Sequence, residues 1–378
     1  MSDQKRIPLV IMRGGTSKGI YIKANDLPSD PEERDALILR IFGSPDVRQI
    51  DGLAGADPLT SKLAIIGPSS SPDADVDYTF AQVSINERVV DYNGNCGNIS
   101  AGVGPFAIDE SLVKAVEPAT RVRIRNTNTD KMLYSEVQVK DGKARVKGDC
   151  AIAGVPGTGA PVLMDFAATA GAATGKVLPT GRVVDVLDTS RGPIEVSIVD
   201  VANPCVFVRA KDVRMKGTET PAEIDGNKEL LDCLEEIRAK SCTIIGMAAS
   251  PEEATKSSPA FPMVAFVTEA EDYVDFTTGN TIKKDEVDVV SRLMFMQVLH
   301  KTYAGTATAC TGAAAKIKGT IVNQAIPHID SIETIRIGHP AGVIPVVAAV
   351  EGEDVKKAAL VRTARRLMEG YALVPEEG

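Results

Sequence analysis

Two segments of the chain share one grammar, and they constrain the fold more than any other feature. Asn95-Cys96-Gly97-Asn98 runs into Ile99-Ser100-Ala101-Gly102, and Ala309-Cys310-Thr311-Gly312 runs into Ala313-Ala314-Ala315-Lys316. Each reads as a thiol at the start of a helix of small residues, set within a strand-rich half. First-turn N–H groups and the helix dipole favour anions at such a start, so the thiol is acidified and a carboxylate can be held beside it. A lone cysteine of this kind is as readily a small buried hydrophobe. Two matched instances favour proton-transfer chemistry.

The element order supports a duplication. Leu9 to Met12, Gly19 to Lys23, Leu63 to Ile66 and Val76 to Ser84 read as strands around one helix, Pro31 to Phe42, with Pro-Glu-Glu in its first turn. After the Cys96 helix, Arg121 to Arg125, Tyr134 to Lys140 and Lys143 to Lys147 form a meander with Asp141-Gly142 as a tight turn. The stretch 151–192, rich in Gly, Ala, Thr and Pro, reads as a long connection containing the domain boundary. The expected domains are 1–185 and 186–378, the last strand able to cross back. The second half repeats the order: strands at Ile194 to Asp200 and Val206 to Arg209, a helix at Lys228 to Lys240, and strands through Ile244 and Val264. A longer helix at about Asp285 to Lys301 is expected next, then the Cys310 helix and strands at Ile335 to Gly338, Ile344 to Val350, Ala358 to Val361 and Gly370 to Val374.

Composition narrows the function. At 378 residues the chain is long enough for two or more cores, and 44% hydrophobic with 25% charged residues describes a globular protein rather than a disordered or membrane one. A net charge of -9 with few aromatics argues against nucleic acid, so an anionic substrate needs local capture. Ala341 to Val350 contains Pro345 and is too short for a membrane span, and the N-terminus does not read as a signal peptide. Six cysteines without a C-x-x-C pair fit free thiols in a cytoplasmic enzyme, and three histidines without ligand spacing argue against a bound metal.

Three regions carry candidate chemistry. In Met12-Arg13-Gly14-Gly15-Thr16-Ser17-Lys18-Gly19 the paired glycines let backbone N–H groups approach a ligand while Thr16 and Ser17 offer hydroxyls; a plain hairpin turn is the alternative. The loop 51–61 delivers Lys62 to the mouth of an apolar strand, where burial would lower its pKa toward use as a base, or where its charge pairs with a carboxylate. A solvated strand-edge lysine is the alternative. His300-Lys301, at the end of the expected long helix, reads as compensation of the helix dipole, and His339-Pro340 as a loop. No phosphate loop, dinucleotide fingerprint or serine-hydrolase elbow occurs.

These blocks, with Asp91-Tyr92-Asn93-Gly94 before Asn95, Ile337-Gly338-His339-Pro340-Ala341-Gly342 and Arg362-Thr363-Ala364-Arg365-Arg366, resemble the PrpF-like branch of the diaminopimelate-epimerase-like fold over essentially the whole chain. The resemblance implies an α+β fold of two similar lobes, each a β-barrel-like sheet around a central helix, with a cleft between them. It implies a cofactor-independent isomerase acting on a small unsaturated dicarboxylate, in which a proton moves between the carbons α and γ to a carboxylate through a dienolate. The reaction first implied is 3-methylitaconate to 2,3-dimethylmaleate, with aconitate-type or oxalomesaconate isomerisation and a noncatalytic carboxylate-binding accessory protein as alternatives. The matching functional positions are Ser17, Lys62 and Cys96, with Cys310 at the place of a second thiol. Lys62 and Cys96 are then the acid/base pair and Ser17 orients substrate. Gly15, Thr16 and Asn95, with helix-start N–H groups at Gly97, Asn98, Thr311 and Gly312, bind it. The active form is expected to be a homo-oligomer.

Overall fold

The architecture follows from how few residues are free to leave the sheet. In the computed structural model, which describes residues 3–92 and 96–375, the chain forms two compact units, 3–164 with 362–375, and 165–361.

In the first unit, β1 (Gln4–Gly14) and β2 (Ser17–Lys23) are antiparallel, and β2 pairs in parallel with β3 (Lys62–Pro68) after the crossover helix α1 (Pro31–Phe42). β3 is antiparallel to β4 (Val76–Val83), which pairs in parallel with β5 (Ala119–Asn126) across helix α2 (Gly97–Asp109). β6 (Lys131–Lys140), β7 (Pro161–Asp165) and the C-terminal strand close a ring back onto β1. Helix α2 is buried from Gly97 through Ile108, which a helix of small and apolar residues tolerates and a charged one would not. Gly102 lies against the Tyr21 ring and Gly104 against Ser135 and Val137, so a side chain at either would push the helix off the sheet. Outside the ring, α1 starts where Asp30 accepts from the Glu33 N–H and ends at Gly43 with φ 73. Its apolar stripe packs on Ile7, Leu9, Ile20, Ile22 and Val374.

The second unit repeats this order. β8 (Asp185–Thr189) flanks β9 (Gly192–Val201), which is antiparallel to β10 (Asn203–Arg209). β10 is parallel to β11 (Met263–Glu269) across helix α3 (Lys228–Ile244), and β11 is antiparallel to β12 (Val289–Phe295). β12 is parallel to β13 (Thr334–His339) across α4 (Gly305–Lys316), and β13 is antiparallel to β14 (Gly342–Glu351). The run from β1 to β6 and the run from β9 to β14 thus have the same sequence of pairings, each with a buried helix in the second crossover. β15 (Asp354–Pro375) begins on β14 and ends on β1.

Several sequence expectations are corrected. The units divide after Met164 rather than at 185, because the segment that follows bonds to β9: Gly171 N–H donates to Asp200 O at 2.8 Å, and Asp200 N–H to Val177 O at 2.9 Å. The helix expected over 285–301 is strand β12. Val289 to Met294 is buried on both faces, and a doubly buried strand has no alternation to distinguish it from a helix. Ile244 ends helix α3 instead of lying in a strand.

Candidate active site

Lys62 is the first residue of β3 and is 3% exposed. Its ammonium donates to Gln82 Oε1 at 2.7 Å and lies 5.4 Å from the centre of the Phe80 ring. Gln82 in turn donates from Nε2 to Pro58 O and Ser61 O, fixing the loop that precedes the lysine. The Cys96 thiol is close enough to the same amine to favour its charged form. Burial pulls the Lys62 pKa below the ordinary lysine value, and attraction to Cys96 and Asp57 only partly restores it. The result is an amine whose neutral, basic form is easier to reach than that of a surface lysine.

Cys96 is the N-cap of α2, with extended backbone at φ −116 and ψ 100. Its thiol therefore stands at the positive end of a buried helix, where the first-turn N–H groups of Gly97 and Asn98 have no intrahelical acceptor. Ser100 holds the turn by donating to Cys96 O through both N–H (2.8 Å) and Oγ (2.9 Å). Asn98 uses its side chain differently: Nδ2 donates to Thr16 Oγ1 and Oδ1 accepts from Arg362 Nε, both at 3.1 Å. That pair of bonds ties the 13–17 loop to the helix start.

The loop itself is shaped by glycine. Gly15 has φ +51, and a Cβ there would run into Asn98 Oδ1. Arg13 Nη1 donates to Gly15 O and Thr363 O at 2.8 Å each, and Gly15 N–H donates to Thr363 O at 2.9 Å. Ser17, register partner of Gly14, shares the face of β2 with Gly19, which is opposite Lys62 in β3. Its hydroxyl is buried with no hydrogen-bond partner among the described residues. Buried hydroxyls are normally satisfied, so an unmet one on the strand paired with that of Lys62 is a candidate place for a ligand oxygen. Ser17, Lys62, Cys96, Gly97, Asn98, Gly15 and Thr16 thus cluster in one unit; Asn95 lies outside the described residues.

Sequence reading missed Arg362 and Gln82. Arg362 is buried, its pKa pushed down to about 9 by desolvation, and it adds a cation beside Asn98. The one local signal is an arginine interrupting the apolar run from Ala358 to Val361.

The second thiol is corrected. Cys310 is the sixth residue of α4, not its start: the helix begins at Gly305 with Ala304 as N-cap. Cys310 is fully buried and its Sγ donates to Val199 O at 3.2 Å. Thr311 donates its hydroxyl to Ala307 O at 2.7 Å, and Gly312 lets the helix approach Val346 and Ala348 of β14. Their N–H groups are interior to the helix and offer no helix-start site. Gly305-Thr306-Ala307-Thr308 looks like loop because Gly and Thr are poor helix formers, but burial overrides propensity here. His300 does not end a helix; it is buried after a short strand, Val298–Leu299, with Nδ1 accepting from the Thr302 N–H. His339 closes β13, its Nδ1 accepting from the Ala341 N–H.

The duplication makes the halves comparable position by position. The first residue of β11, equivalent to Lys62, is Met263, and the N-cap equivalent to Cys96 is Ala304. A polar tie to the helix start survives with its sides exchanged: Asn203 Nδ2 at the start of β10 donates to Thr306 Oγ1 of the helix at 2.9 Å, whereas in the first half the helix residue Asn98 donates to Thr16. One half carries amine and thiol; the other keeps the frame without them.

Comparison with known proteins agrees with this fold. The crystal structure of a probable proline racemase from Agrobacterium radiobacter K84 shares the fold, with a TM-score of 0.55 at 13% identity over 97% of this chain and 92% of that one. Fold, site and relatives together define an isomerase. The chain belongs to the PrpF family, whose model, PrpF protein, matches residues 4–375. It is 76% identical over 374 residues to the 3-methylitaconate isomerase of Eubacterium barkeri, covering 99% of this chain and 98% of that one. A crystal structure of methylitaconate-delta-isomerase superposes with a TM-score of 0.85 at 76% identity, covering 99% of this chain and 97% of the other. The 2-methyl-aconitate isomerase of Cupriavidus necator is 39% identical, with 98% of each chain covered.

Proposed function

We propose that the chain isomerises a small unsaturated dicarboxylate by 1,3-proton transfer, with 3-methylitaconate and 2,3-dimethylmaleate as the interconverting pair. The observation that carries this reading is the pairing of buried Lys62 with the half-buried Cys96 thiol in the first unit, set against Met263 and Ala304 at the equivalent positions of the second. Epimerisation takes a proton from one face and returns it to the other, which calls for two acid/base groups. An allylic shift can use one face and one shuttle. A base removes the proton on the carbon α to one carboxylate, the electron pair spreads into the dienolate, and the proton returns to the terminal methylene, so the C=C bond moves and nothing else is gained or lost. Lys62 and Cys96 share the proton transfer. Ser17 and the N–H groups of Gly97 and Asn98 hold the carboxylate that gains charge; each aimed donor is worth roughly 3–4 kcal/mol in a site of this kind.

The proposal is tested by following 3-methylitaconate by ultraviolet absorbance and by NMR in deuterated water. Lys62→Ala and Cys96→Ala are each expected to reduce turnover by about 100-fold or more, as removal of a proton-transfer group does. Near-parental turnover in both variants would overturn the assignment. Binding without any deuterium incorporation would instead indicate a noncatalytic carboxylate-binding protein. The 39% identical relative named for 2-methyl-aconitate, and the cations Arg13 and Arg362 beside the Thr16–Asn98 tie, support a second reading in which a third carboxylate is accepted. A panel of unsaturated tricarboxylates in the same assay distinguishes the two.

We also infer a cytoplasmic protein that self-associates. All six cysteines are free thiols, as a reducing compartment keeps them, and no helix among the described residues is long and apolar enough to cross a membrane.

A further inference from the structure

A lysine as buried as Lys62 ordinarily leans on a carboxylate, because a charge held away from water is costly. The acceptor that its ammonium meets at 2.7 Å is instead the neutral amide oxygen of Gln82, a side chain one atom different from glutamate and itself buried. That amide has one way to lie. Its Nε2 donates to Pro58 O at 3.1 Å and to Ser61 O at 3.0 Å. Both partners are carbonyl oxygens that can only accept, so the nitrogen takes their side and Oε1 faces the amine. Turning the amide over would set an oxygen against two carbonyls and N–H groups against an ammonium.

The carbonyls are held in turn. Ser61 O accepts from the Val83 N–H at 3.1 Å, and the Ser61 hydroxyl donates to Val83 O and accepts from Gln49 Nε2, both at 2.9 Å. Gln49 has φ 45, a left-handed backbone that a residue with a side chain adopts at a cost, and its Oε1 takes the Ala56 N–H at 2.8 Å. The loop 44–61 is thus wound to hold the Gln82 amide in register with Lys62. The duplicated half shows amine and amide as a unit. Val264 of β11 is opposite Met294 of β12, which sets Met263 opposite Phe295 where Lys62 is opposite Gln82. Both polar side chains are replaced together by apolar ones.

We propose that Gln82 is a positioning residue for the reaction: it aims the Lys62 amine and leaves the proton on it exchangeable, by accepting from it with a locked, uncharged oxygen. The inference rests on the catalytic reading above. With both amide hydrogens engaged, Gln82 has none to give Lys62. It accepts an N–H from the ammonium and equally from the neutral amine, so the bond persists as the proton comes and goes, and the lone pair of the neutral amine points away from Gln82. A carboxylate in the same place would fix the proton on the amine. The titratable groups that act on the amine are Cys96 at the start of α2 and Asp57 in the preceding loop. Neighbouring β2 sets Gly19 opposite it, and β4 presents Gln82 and the Phe80 ring, all uncharged.

Two variants of the full chain test it in opposite directions. Gln82→Glu puts a carboxylate at the acceptor and is expected to move the rising limb of kcat against pH upward by about 1–3 units, so that turnover lost below the limb returns above it. Gln82→Met keeps the length and removes the acceptor. Its limb is expected to move down, and its plateau kcat to fall by about tenfold or more with KM nearly unchanged, because the amine is no longer aimed. The amine is also titrated directly by NMR of isotope-labelled lysine, the Lys62 signal being the one missing from Lys62→Ala, and folding is followed by thermal denaturation. Lower stability with limb and titration unmoved overturns the proposal, as does a shift of the same sign in both variants. A titration that moves as expected while the limb does not, or a folded wild-type chain inactive on every tested acid, counts against Lys62 as the base and leaves the amide's hold on the amine standing.

Discussion

Gly15 shows how narrowly the site is specified. Its positive φ and the absence of a Cβ let Asn98 Oδ1 lie against the loop and take the Arg362 bond. Gly15→Ala is therefore expected to lower stability by about 1–3 kcal/mol and to raise KM, seen in thermal denaturation and steady-state kinetics. Lys62 gives the pH prediction. Because burial lowers its pKa, the neutral amine appears at lower pH than for a free lysine, and the rising limb of turnover against pH should lie below the ordinary lysine range. The sign for stability is the same. Between the folded and unfolded values the unfolded chain holds more protons, so stability rises with pH through that window and falls as pH drops through the folded value. A turnover limb at the ordinary lysine value would contradict the assignment. The positions of Lys62 and Cys96 were legible in the sequence because each stands at an element boundary with a local signal, a strand mouth and a small-residue helix start. Arg362 was not, because its role depends on Asn98, 264 residues away.

At the level of elements, the instructive pair is α2 and α4. Both are buried crossover helices, and both begin with glycine followed by a polar residue, Gly97-Asn98 and Gly305-Thr306. Sequence reading matched Cys96 to Cys310 by composition, but the pairings of the strands match Cys96 to Ala304. A cysteine can be read from the chain; its position along a helix depends on where that helix starts, and no local residue near Gly305 announces it. The strand β12 hid for a related reason: burial on both faces erased the alternation that sequence reading relies on. The shared frame yields its own prediction. Asn203→Ala removes the bond to Thr306 in a buried setting and is expected to destabilise the second unit by about 1–3 kcal/mol, measured by hydrogen exchange, with little direct effect on proton transfer.

For the whole molecule, the duplicated plan was legible and the boundary was not, because 165–177 has few strand-like residues and is recruited to β9 through backbone hydrogen bonds. The crossing of the last strand was anticipated in outline. A chain ending at Val361 should leave residues 3–164 rapidly cleaved in limited proteolysis while 165–361 resists, since the first ring would lack the strand that pairs with β1. Equal resistance of the two parts would show that β15 contributes little to closing it. This strand also sets an order of events during synthesis. β1 to β7 are made first, yet the segment that finishes their ring follows residues 165–361, so the first unit must wait as an open sheet while the second completes itself.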